Sequence, residues 1–188
     1  VHHVQRGAFV AVETHIACGV CSTCRTGRAH ICRNLQILGV DTDGAFAEYV
    51  VVPAENAWIV GEGIHPDHAS VMEPFGNAVH ATFGTEGGED LLTNPVAVIG
   101  CGPIGLFAVG IARALGAWKV IAIEPNDERR SLAAKMGADL LVDPSADDPV
   151  EAVMDATEGN GAEVVLEMSG NAAAIDQGTR LLARGGRM

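Results

Sequence analysis

Four cysteines fall in one short segment, Cys18, Cys21, Cys24 and Cys32, with the spacing C-x2-C-x2-C-x7-C. Zinc in a structural site takes four ligands in a tetrahedron, and thiolate sulfur suits it. Two-residue gaps let three sulfurs converge from one tight turn, and the seven-residue return brings in the fourth. The residues between them, Gly19, Ser22, Thr23, Arg25 and Ala29 among them, read as loop. A redox cluster or a pair of disulfides is the alternative. Only five cysteines occur in the chain, and the sequence shows no signal-peptide pattern and no apolar run of membrane length. The expectation is therefore a zinc site in a reducing, cytoplasmic setting, with no membrane partner.

A second group of residues points to a nucleotide. Gly100-Cys101-Gly102-Pro103-Ile104-Gly105 follows an apolar strand pattern, PVAVI, and opens a helix pattern, LFAVGIARALG. In that context G-x-G-x-x-G reads as a dinucleotide turn. Gly100 allows the tight turn, Gly102 lets the backbone approach a pyrophosphate, and Gly105 lets the helix lie close to the sheet. Pro103 and Ile104 sit in the same turn, at a helix N-terminus that offers free N–H groups to phosphate. Glu124 stands nineteen residues beyond the last glycine, at the end of the next strand pattern. A carboxylate there can accept hydrogen bonds from both ribose hydroxyls and repels a 2′-phosphate, which favours NAD over NADP. Otherwise Glu124 is a solvated acid at a strand end. Arg129 either lies over the adenine or is a solvated helix residue; spacing does not choose. Cys101 reads as a small filler in the turn.

Glu73 is the candidate catalytic group. It lies in a mostly apolar stretch, SVMEPFGNAV, where a carboxylate needs a partner. Asn77 and His80 follow at i+4 and i+7 on the same helical face. A polar stripe on a helix surface is the plainer reading. His15, just before the cysteine loop, is a candidate for the substrate side. His2, His3, His65 and His68 sit in polar context and are expected to be exposed.

These groups need positioning elements. Val1 to Ile16 reads as short strands, Gly44 to Pro53 as a strand, and Trp58 to Val60 as a further extended piece, which together make a small β-rich unit to about Pro66. From Asp67 or His68 a helix is predicted to run to about Phe83. Strand and helix then alternate: Pro95–Ile99, the small-residue helix, Val120–Ile123, a helix from Asp127 to Met136 stopped by Gly137, Leu140–Val142, a helix from Pro149 to Thr157, Val164–Met168, and a helix from Ala172 to Ala183. Such alternation predicts right-handed βαβ units on a parallel sheet. Gly185 and Gly186 read as the turn into a further strand. The chain starts at Val1 and stops at Met188, so a piece of a longer protein is expected.

Composition agrees. Hydrophobic residues make up 48% of the chain and aromatics only 4%, so small residues must fill the core, as they do where helices pack on a parallel sheet. A net charge of −12 argues against nucleic acid and anionic membrane surfaces as partners.

The order of β-rich unit, four-cysteine loop and dinucleotide fold resembles the zinc-containing medium-chain alcohol dehydrogenases, over essentially the whole chain. The runs GVDTDGAFAEYVVVPAENAW, EPFGNAVHAT, IGCGPIGL, IEPNDERRSLAAKMGAD and VVLEMSGNAAAIDQG carry the resemblance. They look most like the branch that oxidises the C3 hydroxyl of a hydroxy amino acid. The resemblance implies an α/β fold: part of a GroES-like catalytic domain with a structural zinc loop over residues 1–66, then an incomplete, doubly wound Rossmann domain over residues 67–188. It implies NAD and zinc as cofactors, a small-molecule substrate and a homo-oligomer, a tetramer by analogy. Cys18, Cys21, Cys24 and Cys32 match the structural zinc ligands. Ile104, Glu124 and Arg129 match cofactor contacts, and Glu73 matches the acid beside the catalytic zinc. That zinc's main ligands and the hydroxyl of the proton relay would precede Val1, so this piece alone is expected to be inactive. The alternatives are a polyol or secondary-alcohol dehydrogenase of the same family, or a non-catalytic regulator that binds NAD and zinc.

Overall fold

The computed structural model describes residues 3–84 and 87–188; His2 lies outside the described residues. The chain divides into two compact units, Val1–Glu73 and Pro74–Met188.

In the first unit, β1 (Val10–Val12) pairs antiparallel with β4 (Ala57–Ile59), with Val10 opposite Ile59. Strand β2 (His15–Ile16) pairs antiparallel with β3 (Gln36–Ile37). Between β2 and β3 the cysteine segment folds back on itself through a helical turn, α1 (Ser22–Arg25), and a 3₁₀ turn at Ala29–Ile31. The stretch 44–53, whose alternation predicts a strand, is not one. A strand needs a neighbour for its backbone N–H and C=O groups, and among the described residues none pairs with it. Phe46, Tyr49 and Val51 are accordingly almost fully exposed.

The helix expected from Asp67 to Phe83 is broken in two, α2 (Pro66–Ala69) and α3 (Met72–Phe83). Pro74 explains the break. It has no N–H to give to Ser70, and its ring would strike that carbonyl in a continuous helix. Restarting at Met72 puts Pro74 in the first turn of α3, where neither matters. His65 caps α2, its Nδ1 accepting from the Asp67 N–H at 3.2 Å.

The second unit is a five-stranded, all-parallel sheet. In chain order its elements are β5 (Pro95–Ile99), α4 (Pro103–Ala114), β6 (Lys119–Ile123), α5 (Asp127–Met136), β7 (Leu140–Val142), α6 (Pro149–Ala156), β8 (Ala162–Glu167), α7 (Ala172–Leu181) and β9 (Leu182–Arg187). The spatial order is β7-β6-β5-β8-β9, so the direction of winding reverses beside β5. Ligands bind outside the carboxyl ends of strands at such a reversal. Both faces of β5 are covered: Val96 and Val98 pack with Val109, Ala112 and Val120 on one side, and Ala97 and Ile99 with Ile121 and Val165 on the other. That is why β5 reads as an unbroken apolar run. Gly137, at φ +108°, ends α5 as its position predicts. Gly185 and Gly186 lie inside β9 and make no turn. A Cβ on Gly186 would stand 2.8 Å from the Glu163 carbonyl oxygen, so glycine here serves close approach of β9 to β8. No helix among the described residues is long and apolar enough to cross a membrane.

Candidate functional site

The four cysteines converge. Their sulfurs all lie within 4.8 Å of one another, with Cys21 Sγ 3.4 Å from Cys24 Sγ and 3.8 Å from Cys32 Sγ. A tetrahedron with zinc–sulfur bonds of about 2.3 Å has edges of about 3.8 Å, so the spacing fits a metal, and it is far too long for a disulfide. Cys32 is buried and accepts the backbone N–H groups of Cys18 and Asn34, both at 3.3 Å. The Thr23 hydroxyl, 3.1 Å from Cys21 Sγ, with the backbone N–H groups of Cys24 and Arg33, lowers the Cys21 thiol to about 5. Cys18 is lowered too, by the N–H groups of Val20 and Cys21 and by the Cys32 thiol. Cys24 is raised to about 12, by desolvation first and then by the Cys21 and Cys32 sulfurs. Four thiolates this close cannot all ionise against one another. A dication among them removes the conflict.

Glu73 sits in the first turn of α3, half-buried, with its Oε1 accepting the Thr14 hydroxyl at 2.7 Å. It is part of a cluster: one ligand-type atom each of Glu13, His15 and Glu73 lies within 4.8 Å of the others. The plainer reading of Glu73 as a solvated stripe residue does not describe this geometry. Asn77 and His80 both have interaction partners. Glu13 is a participant that sequence reasoning missed; alternation along β1 and β2 could have flagged it, since it lies two residues from His15. His3, His65 and His68 are exposed, as expected.

In the second unit Gly100 and Gly105 show the tight turn and the close helix–strand approach expected of them. Gly100 adopts φ +85°, and a Cβ there would fall 2.8 Å from the Ser169 backbone N. A Cβ on Gly105 would sit 1.9 Å from the Gly100 carbonyl oxygen, so only glycine lets α4 start this close to β5. Gly102 caps α4, and a Cβ on it would meet no atom within 4 Å. The space it leaves opens on a cavity of about 540 Å³, lined among others by Gly100, Gly102, Glu124, Arg129, Ser169 and Asn171. A cradle of bare backbone at a helix N-terminus fits a pyrophosphate. Pro103 holds the first helical position, and Ile104 packs against the core.

Glu124 is 3% exposed, and its two oxygens already accept backbone N–H groups, Oε2 from Cys101 at 2.7 Å and Oε1 from Asn126 at 3.0 Å. Each carboxylate oxygen retains a second acceptor site, which is what a ribose diol would use. The amides therefore orient the acid at the cavity wall. Arg129 is exposed on the same wall. Cys101 is buried, and desolvation, followed by the Glu124 charge, pushes its thiol up to about 12, which makes it the inert filler expected.

Sequence reasoning passed over Arg130, Ser169 and Asn171. Arg130 donates to the Glu124 carbonyl at 2.7 Å and pairs with Asp143 at 3.1 Å and with Asp127, tying the ends of β6 and β7 together. The Ser145 N–H and then Arg130 hold the Asp143 carboxyl below its ordinary value. Asn171 caps α7 through the N–H groups of Ala173 and Ala174. The run SGN directly after a strand was the available signal for the opposite wall.

A four-cysteine cluster with zinc-like spacing and a parallel sheet with a glycine-lined turn at a helix N-terminus are thus carried by one chain. Residues 1–62 match the alcohol dehydrogenase GroES-like domain and residues 103–188 match the zinc-binding dehydrogenase family. The chain belongs to the zinc-containing alcohol dehydrogenase family. Among particular relatives it is similar to L-threonine 3-dehydrogenase of Caldanaerobacter subterraneus subsp. tengcongensis, with 52% identity over all of this chain and 53% of that protein. The chain thus spans about half the length of the curated relatives it matches. Of solved structures, a Sinorhizobium meliloti 1021 protein assigned as a zinc-binding dehydrogenase and bound to NADP superposes with a TM-score of 0.88 at 37% identity, over 99% of this chain and 54% of that one. An alcohol dehydrogenase, rspB from E. coli CFT073, complexed with NADH, gives 0.83 at 31% identity, over 98% of this chain and 56% of that one.

Proposed function

We propose that the chain is part of an NAD- and zinc-dependent L-threonine 3-dehydrogenase, which oxidises L-threonine to 2-amino-3-oxobutanoate. The observation that carries this reading is 52% identity, along the entire chain, to a relative of that name. When bound, the nicotinamide supplies the hydride acceptor, and a catalytic zinc polarises the alcohol. The residues of this chain hold and orient. Cys18, Cys21, Cys24 and Cys32 fasten the loop around a structural zinc. Glu73, held by Thr14, places a negative charge beside the reacting alcohol. Gly100, Gly102, Pro103, Ile104 and Gly105 shape the pyrophosphate turn, Glu124 binds the adenosine ribose, and Arg129 covers the adenine. A homo-oligomer working in the cytoplasm on a small-molecule substrate belongs to the same proposal, supported by the family resemblance.

The test is the product. Full-length enzyme, loaded with zinc and given L-threonine and NAD, is expected to release 2-amino-3-oxobutanoate, or aminoacetone after its decarboxylation, with an equal amount of NADH. NADH from sorbitol and none from threonine would move the reading to a polyol dehydrogenase.

Glu124 tests the cofactor half. Glu124→Gln keeps the volume and an acceptor for one of the two backbone N–H groups, turns an NH2 toward the other, and loses the charge. One hydrogen bond to a charged acceptor is worth about 1.5–3 kcal/mol, so the Kd for NAD should rise about 10- to 150-fold. The preference for NAD over NADP should shrink with it. Calorimetric titration with both nucleotides reads this, and an unchanged ratio would remove Glu124 from the ribose site.

A further inference from the structure

The wall that α7 gives to the nucleotide cavity is made of Ala173, Ala174 and Gln177. They share one face of the helix, since Gln177 follows the alanines at i+4 and i+3. Buried Gly178 brings that face down onto the sheet: a Cβ there would stand 3.0 Å from Ile99 Cδ1, and Ile99 also lines the cavity. Gln177 is half-buried, and among the described residues its amide takes part in no hydrogen bond. The other polar side chains on the wall are committed. Asn171 spends its oxygen on the Ala173 and Ala174 N–H groups, which leaves it a donor only. Ser169 gives its one proton to Glu167 and accepts the Asn171 N–H at 3.1 Å, so it has no donor left. Glu124 only accepts, and Arg129 only donates. Among the described residues of this wall, Gln177 is the side chain that presents a free donor and a free acceptor together.

We infer that Gln177 selects the base of the dinucleotide: its amide oxygen accepts the 6-amino group of adenine, and its NH2 donates to the neighbouring ring nitrogen. With the pyrophosphate on the Gly102 turn and the ribose on Glu124, the base is the part left for the rest of the lining. That lining is Pro125 and Pro144 from the β6–β7 side and the two alanines of α7, small and apolar, as a flat ring requires. Either edge of adenine that carries the amino group sets a donor beside an acceptor, N1 or N7, and a carboxamide is the complement of that pair. A base without the amino group leaves the amide oxygen unpaired and is bound more weakly. This role rests on the reading of the cavity as a nicotinamide dinucleotide site. It does not depend on which alcohol is the substrate.

The test is a ratio of affinities. Calorimetric titration of the zinc-loaded, full-length enzyme compares NAD with the analogue whose base is unsubstituted purine, which keeps N1 and N7 and lacks the amino group. The wild-type enzyme should bind NAD about fivefold or more tighter, the size of one uncharged hydrogen bond. Gln177→Leu keeps the bulk and loses both polar groups. It should weaken NAD about tenfold and bring the ratio close to one. Gln177→Glu keeps an acceptor for the amino group but sets a lone pair against the ring nitrogen, so both ligands should bind more weakly while the preference for adenine persists. Zinc content should not change in either variant. A wild-type ratio near one, a preference that survives Gln177→Leu, or its loss in Gln177→Glu overturns the assignment of Gln177 and leaves the dinucleotide site standing. A wild-type enzyme that binds neither dinucleotide overturns the cofactor reading itself, and this role with it.

Discussion

Cys32→Ser should lose the metal and with it the fold of the loop between β2 and β3. Cys32 is the most buried of the four ligands, and its sulfur accepts two backbone N–H groups. The loop has little else to hold it: α1 is four residues long, buries no residue, and leads into a three-residue 3₁₀ turn. Structural zinc contributes on the order of 10–16 kcal/mol apparent in small peptides, far more than such short pieces of helix supply. Metal analysis should find one tightly held zinc in the wild-type chain and much less in the variant. Amide exchange should show residues 18–35 unprotected. NAD binding should persist, because every residue of the nucleotide cavity lies between Ile99 and Gln177. A variant that keeps a full equivalent of zinc, or a well-folded wild-type chain that contains none, would contradict the assignment of the cluster.

The second large effect is at Glu73. In the full-length enzyme Glu73→Ala is expected to cut kcat roughly 100-fold or more, the scale on which a preorganised charge beside a reacting oxygen acts. The Kd for NAD should stay within about twofold, since the nucleotide cavity contains neither Glu73 nor Thr14. Glu73→Gln separates charge from place. Its amide oxygen can still accept the Thr14 hydroxyl, so the helix start is kept, but the negative charge is gone and most of the rate loss should remain. Rapid-mixing measurement of NADH formation reads both variants. Wild-type turnover in Glu73→Ala would reduce this residue to an acid that caps a hydrogen bond from Thr14.

The dinucleotide half was more legible in the sequence than the zinc half, for a physical reason. Parallel strands buried on both faces, helices rich in small residues and glycines that need φ > 0 or a missing Cβ all leave local marks. Val96 to Ile99, Gly100, Gly105 and Gly137 could therefore be read one residue at a time. The cysteine spacing was legible because four ligands to one ion must converge. What escaped depended on partners distant in sequence. The alternation through Phe46, Tyr49 and Val51 carries strand propensity, but pairing is a property of two segments, and no described strand lies beside it. Glu13 and Asn56 meet across forty-three residues, and Arg130 reaches Asp143 from α5, the helix before β7; no periodicity announces either contact. The double amide anchorage of Glu124 was hidden for the same reason, since backbone N–H groups carry no sequence signal. Pro74 was legible in principle. A proline at that place in a helix pattern argues for a restart, and the structure restarts there.

The reading as a whole stands on substrate choice. The decisive measurement is kcat/KM of the zinc-loaded, full-length enzyme for L-threonine, 2,3-butanediol and sorbitol, each with NAD at saturation. A site that hydrogen-bonds the polar groups of an amino acid should favour L-threonine by roughly 100-fold or more. Equal or higher kcat/KM for sorbitol or butanediol would contradict the assignment, even with the zinc loop and the NAD cradle intact.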